Sequence, residues 1–242
     1  MIANVVTIAR IYMRWAFRNP LTYIFMIIVM PFSILVPLLV MIPRIYMVNV
    51  IVGGMLFSVV AGGISDMSQN ISFDRQMKRL TFFVTRPVSP FEYLIGMSIG
   101  GLSYNIVGSL LVLSFASIGS LIELSFLTAM GLLAMLVTAW LISSCIGFVI
   151  GLYGPRDYRL NSAIANMLTF AFIFLAPVYY PLDILPAPMR TVSHLVYTTH
   201  IALIMRNIIT EHPIPWLNIL ATLVFLITSL ILSRAGIKWR TK

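Results

Sequence analysis

Residues 45–65, IYMVNVIVGGMLFSVVAGGIS, contain no charged side chain. As an α-helix these residues reach about 31 Å, the thickness of a bilayer hydrocarbon core (~30 Å). The next segment, residues 66–92, has the opposite character and holds Asp66, Asp74, Arg75, Lys78, Arg79, Arg86 and Glu92. An apolar run of spanning length that meets an abrupt charged boundary reads as a membrane helix ending at the interface.

The same alternation extends in both directions. Residues 21–43, 93–122, 124–155, 160–182 and 214–233 are also free of charge. Each run suffices for one crossing, and the two longest overrun into the interface or tilt. The runs are continuous, whereas barrel strands alternate over about ten residues, so a β-barrel is excluded. Composition agrees: the chain is 60% hydrophobic and 10% charged, against about 45–50% and about 25% in soluble domains. A soluble enzyme, a disordered chain and a secreted disulfide scaffold are thereby excluded. No polar stretch is long enough for a soluble domain. The expected architecture is one all-α membrane domain over residues 1–242 with six crossing helices.

Six crossings place both termini on one side. That side receives Arg10, Arg14 and Arg18, then Arg75, Lys78, Arg79 and Arg86, then Arg156 and Arg159, then Arg234, Lys238, Arg240 and Lys242. The other side receives Arg44, Arg190 and Arg206. The positive-inside rule then puts both termini in the cytoplasm. The formal net charge of +9 follows from topology and contact with anionic lipid, with no need for nucleic acid. No Asp, Glu, Lys, Arg or His falls deep within a run. Proton-coupled transport and intramembrane hydrolysis both need such groups at depth, which argues against either. The single cysteine, Cys145, lies in an apolar run and reads as a small apolar filler.

Three segments outside the runs carry information. Residues 3–18 form an amphipathic helix with Arg10, Arg14 and Arg18 on one stripe, suited to the headgroup plane as an anchor or as a platform for a cytoplasmic partner. Within residues 66–92 a helix is expected from about Asp74 to Thr85, with Phe73, Met77, Leu80 and Val84 as an apolar stripe. That stripe suits a groove on another protein, or the chain's own membrane surface. Residues 183–213 form the external segment. Between Arg190 and Arg206 the helix is too short to cross, and a re-entrant or interfacial helix pair is expected. Tyr179 and Tyr180 precede it and are expected at the headgroup level. His194, His200 and His212 lack metal-ligand spacing, so no metal site is expected. Gly96 with Gly100 and Gly147 with Gly151 are small-residue pairs that admit close helix contacts, while Pro31 and Pro37 should kink the first span.

Two stretches resemble the ABC type-2 permease family, the membrane half of exporters for drugs, lipids or polysaccharides. One is Asp74-Arg75, Leu80 and Pro87-Val88-Ser89-Pro90; the other runs Leu175-Ala-Pro177-Val-Tyr179-Tyr180-Pro181-Leu182-Asp183-Ile-Leu185-Pro186, then Met189-Arg190. The family often has Gly-Thr-Leu-Glu where this chain has Lys78-Arg79-Leu80-Thr81, so an acidic residue is missing at Thr81. Tyr197-Thr198-Thr199-His200 likewise lacks the proline of a Pro-Thr pair. The resemblance implies a plasma-membrane permease that pairs with a second permease chain, identical or different. It also implies a separate ATPase subunit that binds ATP and Mg, with no cofactor in this chain. Asp74, Arg75, Lys78, Arg79, Leu80, Pro87 and Ser89 would couple to the ATPase. Pro177, Tyr179, Tyr180, Pro181, Leu185 and Pro186 would line the exit gate or substrate path. No G-x-x-x-x-G-K-[ST] phosphate loop occurs in the chain. The alternatives are an ATP-independent facilitator or channel, and a membrane-embedded lipid-modifying enzyme.

Overall fold

The structure is a computed structural model that describes residues 2–18, 21, 24–79, 88–122 and 124–235. Among these residues all regular structure is helical. We label the α-helices α1 (Ile2–Arg18), α2 (Met30–Met41), α3 (Met47–Ala61), α4 (Met67–Gln76), α5 (Pro90–Ile118), α6 (Phe126–Tyr153), α7 (Tyr158–Phe174), α8 (Ala187–Ser193), α9 (Tyr197–Ile209) and α10 (Trp216–Ala235). Helices α3 and α4 join without a break through a π turn, Gly62–Asp66, and a second π turn, Phe25–Val29, leads into α2.

Among the described residues four helices are long and apolar enough to cross a membrane: Arg44–Gln76, Pro90–Ile118, Phe126–Tyr153 and Trp216–Arg234. A shorter apolar helix covers Ile27–Met41. Helix α7 has 17 residues, about 25 Å. The uncharged run 160–182 is therefore helical only to Phe174, and its remainder turns along the bundle.

Helix α3 is the hub. Every residue from Val50 to Ala61 is buried. A helix that is apolar on all faces belongs at a centre, and α5, α6, α9 and α2 pack around it. One core cluster, including Val52, Leu56, Val112, Leu136 and Met205, surrounds α3 toward the end that bears Arg44. A second, with Ile8, Ile71, Tyr93, Met97 and Phe148, lies at the end where α1 sits, here called the basic end. Helix α10 is peripheral, and Leu217, Leu220, Val224, Ile227 and Ile231 are exposed along it. Such a face is stable against lipid rather than water.

Sequence rules explain the helix ends. Pro90 occupies the first turn of α5 behind a complete capping box, in which the Ser89 side chain accepts from Glu92 N and the Glu92 carboxylate accepts from Ser89 N. Ser125 caps α6 by accepting from Thr128 N, and Asp157 caps α7 by accepting from Arg159 N and Leu160 N, each without the reciprocal half of the box. Pro31 sits in the first turn of α2 and Pro37 lies inside it.

Both glycine pairs are helix contacts. A Cβ on Gly96 would meet Ile8 at 2.7 Å, and one on Gly100 would meet the Ala9 carbonyl at 2.9 Å. Helix α1 thus lies against α5. A Cβ on Gly147 would collide with the backbone oxygen of Gly63, so α6 touches the α3–α4 junction backbone to backbone.

Candidate functional site

Two polar nodes hold the ends of the bundle. At the basic end, α4 carries Asp74 into the interior, where it is 4% exposed. The phenol of Tyr12 on α1 donates to Asp74 Oδ2, and Tyr93 on α5 donates to the same oxygen at 2.8 Å. The two phenol oxygens are 3.1 Å apart. Burial pushes the Tyr12 phenol well above its ordinary pKa, and the Asp74 carboxylate adds to the shift. Tyr12 therefore stays a proton donor to the carboxylate. Arg79 Nη1 lies 3.9 Å from Asp74 Oδ1 and its guanidinium stands over the Phe73 ring.

The neighbouring Arg75 reaches the opposite way. Its Nη1 donates to Gly151 O at 2.8 Å and to Gly154 O at 3.1 Å, satisfying carbonyls at the C-terminus of α6, where a cation is favoured. Asn4 donates to Glu92 at 3.4 Å, a second tie between α1 and α5. One turn of α4 thus binds α1, α5 and α6 together.

This geometry corrects the start of the helix expected from Asp74 to Thr85, whose part from Leu80 onward lies outside the described residues. Asp74 and Arg75 lie near the end of α4, which continues the second apolar helix and stops at Gln76. Lys78 then adopts φ 57°, a left-handed conformation that terminates a helix. Asp74 and Arg75 are spent on contacts within the chain. Met77, Lys78 and Arg79 are exposed, and Phe73 packs edge-on against Tyr158. Ser89 caps α5. Leu80, Thr81, Val84 and Pro87 lie outside the described residues. On α1, Arg10, Arg14 and Arg18 are all exposed.

The second node lies at the other end. Arg206 on α9 is 8% exposed, and its Nη2 donates to the carbonyls of Pro177, Val178 at 2.9 Å and Tyr180 at 3.0 Å. Burial pulls the guanidinium pKa down to about 10, so the group remains charged at neutral pH. The stretch after α7 is thereby pinned onto α9. Pro177 is buried, Pro181 and Leu185 are half-buried, and Pro186 is the exposed residue before α8.

The expected headgroup position of Tyr179 is overturned. Tyr179 is 3% exposed, and a Cβ on Gly53 would overlap its ring. The ring stacks with Phe174, and its hydroxyl is buried without a hydrogen-bond partner among the described residues. Tyr180 is half-buried and donates to Phe174 O at 2.7 Å. Residues 187–209 hold two helices, α8 and α9, with a break after Ser193. Among the described residues no three His, Cys, Asp or Glu side chains converge as metal ligands. His200 instead lies within hydrogen-bond distance of the His194 carbonyl and the Asn218 side chain.

Sequence reading missed the roles of Tyr12, Tyr93 and Arg206. Their signal is chemical: each is a polar group in an apolar helix and needs a buried partner.

Comparison with known proteins gives one family. Residues 4–210 match the family described as ABC-2 type transporter, from α1 to the end of α9. No curated protein matches the chain.

Proposed function

The chain belongs to the ABC-2 type transporter family, and from that premise we propose that it is the permease subunit of an exporter driven by a separate ATPase. On this reading it crosses the plasma membrane six times, with both termini in the cytoplasm. Helix α2 and the short α7 supply the crossings beyond the four long helices, and α8 and α9 form the external re-entrant pair. A second permease chain completes the path.

The observation that carries the proposal is the Asp74–Arg75 turn. The ATPase docks on the segment that follows α4, with the exposed Met77, Lys78 and Arg79 and the next residue in sequence, Leu80, at the contact. Movement there passes through Asp74 to α1 and α5, and through Arg75 to α6. The exposed arginines of α1 supply a lipid or ATPase contact. At the other end, Arg206 holds the Pro177–Pro181 stretch, so the exit gate moves with α9 rather than as a free loop. ATP and Mg bind the partner, which supplies the energy of transport.

The test is co-purification of the tagged permease with its ATPase subunit from membranes. Leu80→Asp is expected to abolish co-purification while leaving the permease inserted. Unchanged recovery of the ATPase contradicts the docking assignment.

A further inference from the structure

Both π turns among the described residues border one groove. Phe25 comes from the turn Phe25–Val29, and Gly62, Ser65 and Asp66 come from the turn Gly62–Asp66. A π turn inserts an extra residue into a helix and is frequent at functional sites. The groove has a volume of about 210 Å³. Phe25, Pro31 and Phe57 give it apolar walls, and Asp66, Gln69 and Asn105 give it a polar floor.

The floor is built around a carboxylate. Asn105 Nδ2 donates to Asp66 at 3.3 Å and to Gly101 O at 3.2 Å. The Asn105 amide lies where a Cβ on Gly62 would stand, so the glycine makes room for it. Among the described residues no cation pairs with Asp66. The partly buried Asp66 carboxylate accepts from one neutral donor, and a positive ligand in the groove would pair with its charge.

Depth completes the argument. Asp66 lies 22 residues beyond Arg44 along continuous helix, about 33 Å and hence one bilayer core away. With the orientation proposed above, Asp66 stands at the inner-leaflet headgroup level and the Phe57 wall lies in the acyl region.

We infer that this groove is a loading site for an amphiphile with a protonated-amine head and an apolar tail. Asp66 is the counter-ion and Asn105 orients the carboxylate. The inference rests on the export reading and narrows its cargo class.

The test uses the full chain in phosphatidylcholine nanodiscs, with a dansyl-tagged long-chain primary amine and the matching alcohol as probes read by anisotropy. Wild type is expected to bind the amine roughly tenfold more tightly than the alcohol. Asp66→Asn should erase that preference, and Asp66→Glu should keep part of it. Equal binding of amine and alcohol by wild type, or a preference that survives in Asp66→Asn, overturns the inference. Ser58→Cys in a Cys145→Ser background tests the rival occupant. Full disulfide cross-linking between copies at Ser58→Cys shows the groove filled by a second chain and likewise overturns it. Co-purification of the ATPase with Asp66→Asn should match wild type. A wild-type chain that never binds an ATPase instead contradicts the export reading.

Discussion

Tyr93, in the first turn of α5, donates its phenolic proton to Asp74, near the end of α4, at 2.8 Å. The two residues are 19 positions apart, and the connection between them includes the exposed turn at Met77 and Lys78. The bond closes that connection like a clasp. Tyr12 adds α1 to the same oxygen. Any force on the turn therefore reaches three helices through one carboxylate.

Asp74→Ala strands two buried phenols. Each hydrogen bond to a charged group contributes about 1.5–3 kcal/mol. Tyr12→Phe and Tyr93→Phe are each expected to lower the thermal midpoint, and Asp74→Ala to lower it more than either. A double-mutant cycle between Tyr12→Phe and Tyr93→Phe should show coupling, because both share one acceptor. Strictly additive effects contradict the shared node.

Arg206→Met leaves the Pro177, Val178 and Tyr180 carbonyls without their donor, the first two of them buried, a loss of about 2–3 kcal/mol. Amide hydrogen exchange in α9 and after α7 should quicken together. Arg206→Lys rescues only in part, since the lysine side chain ends one atom short of the Nη2 position that makes all three contacts. Unchanged exchange in either segment contradicts the pinning contact.

Tyr179→Phe should be neutral or slightly stabilising, because the hydroxyl is buried without a partner among the described residues. Tyr179→Ala empties the space against Gly53 and should cost about 3–5 kcal/mol by thermal unfolding. Transport that fails in Tyr179→Phe at full stability would instead assign the hydroxyl to the cargo path.

The long apolar helices were legible because their runs end at charges. The caps Ser89, Ser125 and Asp157 are local signals too, but they went unread. The glycine pairs were legible as contacts but not as to partner, since neither Ile8 nor Gly63 is near in sequence. The helix around Asp74 was misplaced for a physical reason. An acid followed by basic residues suits the start of a helix, but tertiary partners on α1 and α5 drew Asp74 inside the end of the preceding one. Tyr179 misled in a related way: a Tyr-Tyr pair beside prolines suits an interface, yet Gly53 leaves a slot that only a ring fills. Asp66 sits at the edge of the run 45–65, where sequence reading sees a boundary charge. Its groove depends on the π turn and Asn105, which no local pattern announces.

The central claim is that energy enters through the turn after α4 from the cytoplasmic side. Met77→Cys, in a Cys145→Ser background, tests it in intact cells and in membranes carrying the ATPase. A membrane-impermeant maleimide added outside should leave Met77→Cys unlabelled, and a short bifunctional cross-linker should join it to the ATPase in a yield that changes when ATP is bound. Labelling of Met77→Cys from outside would contradict the account.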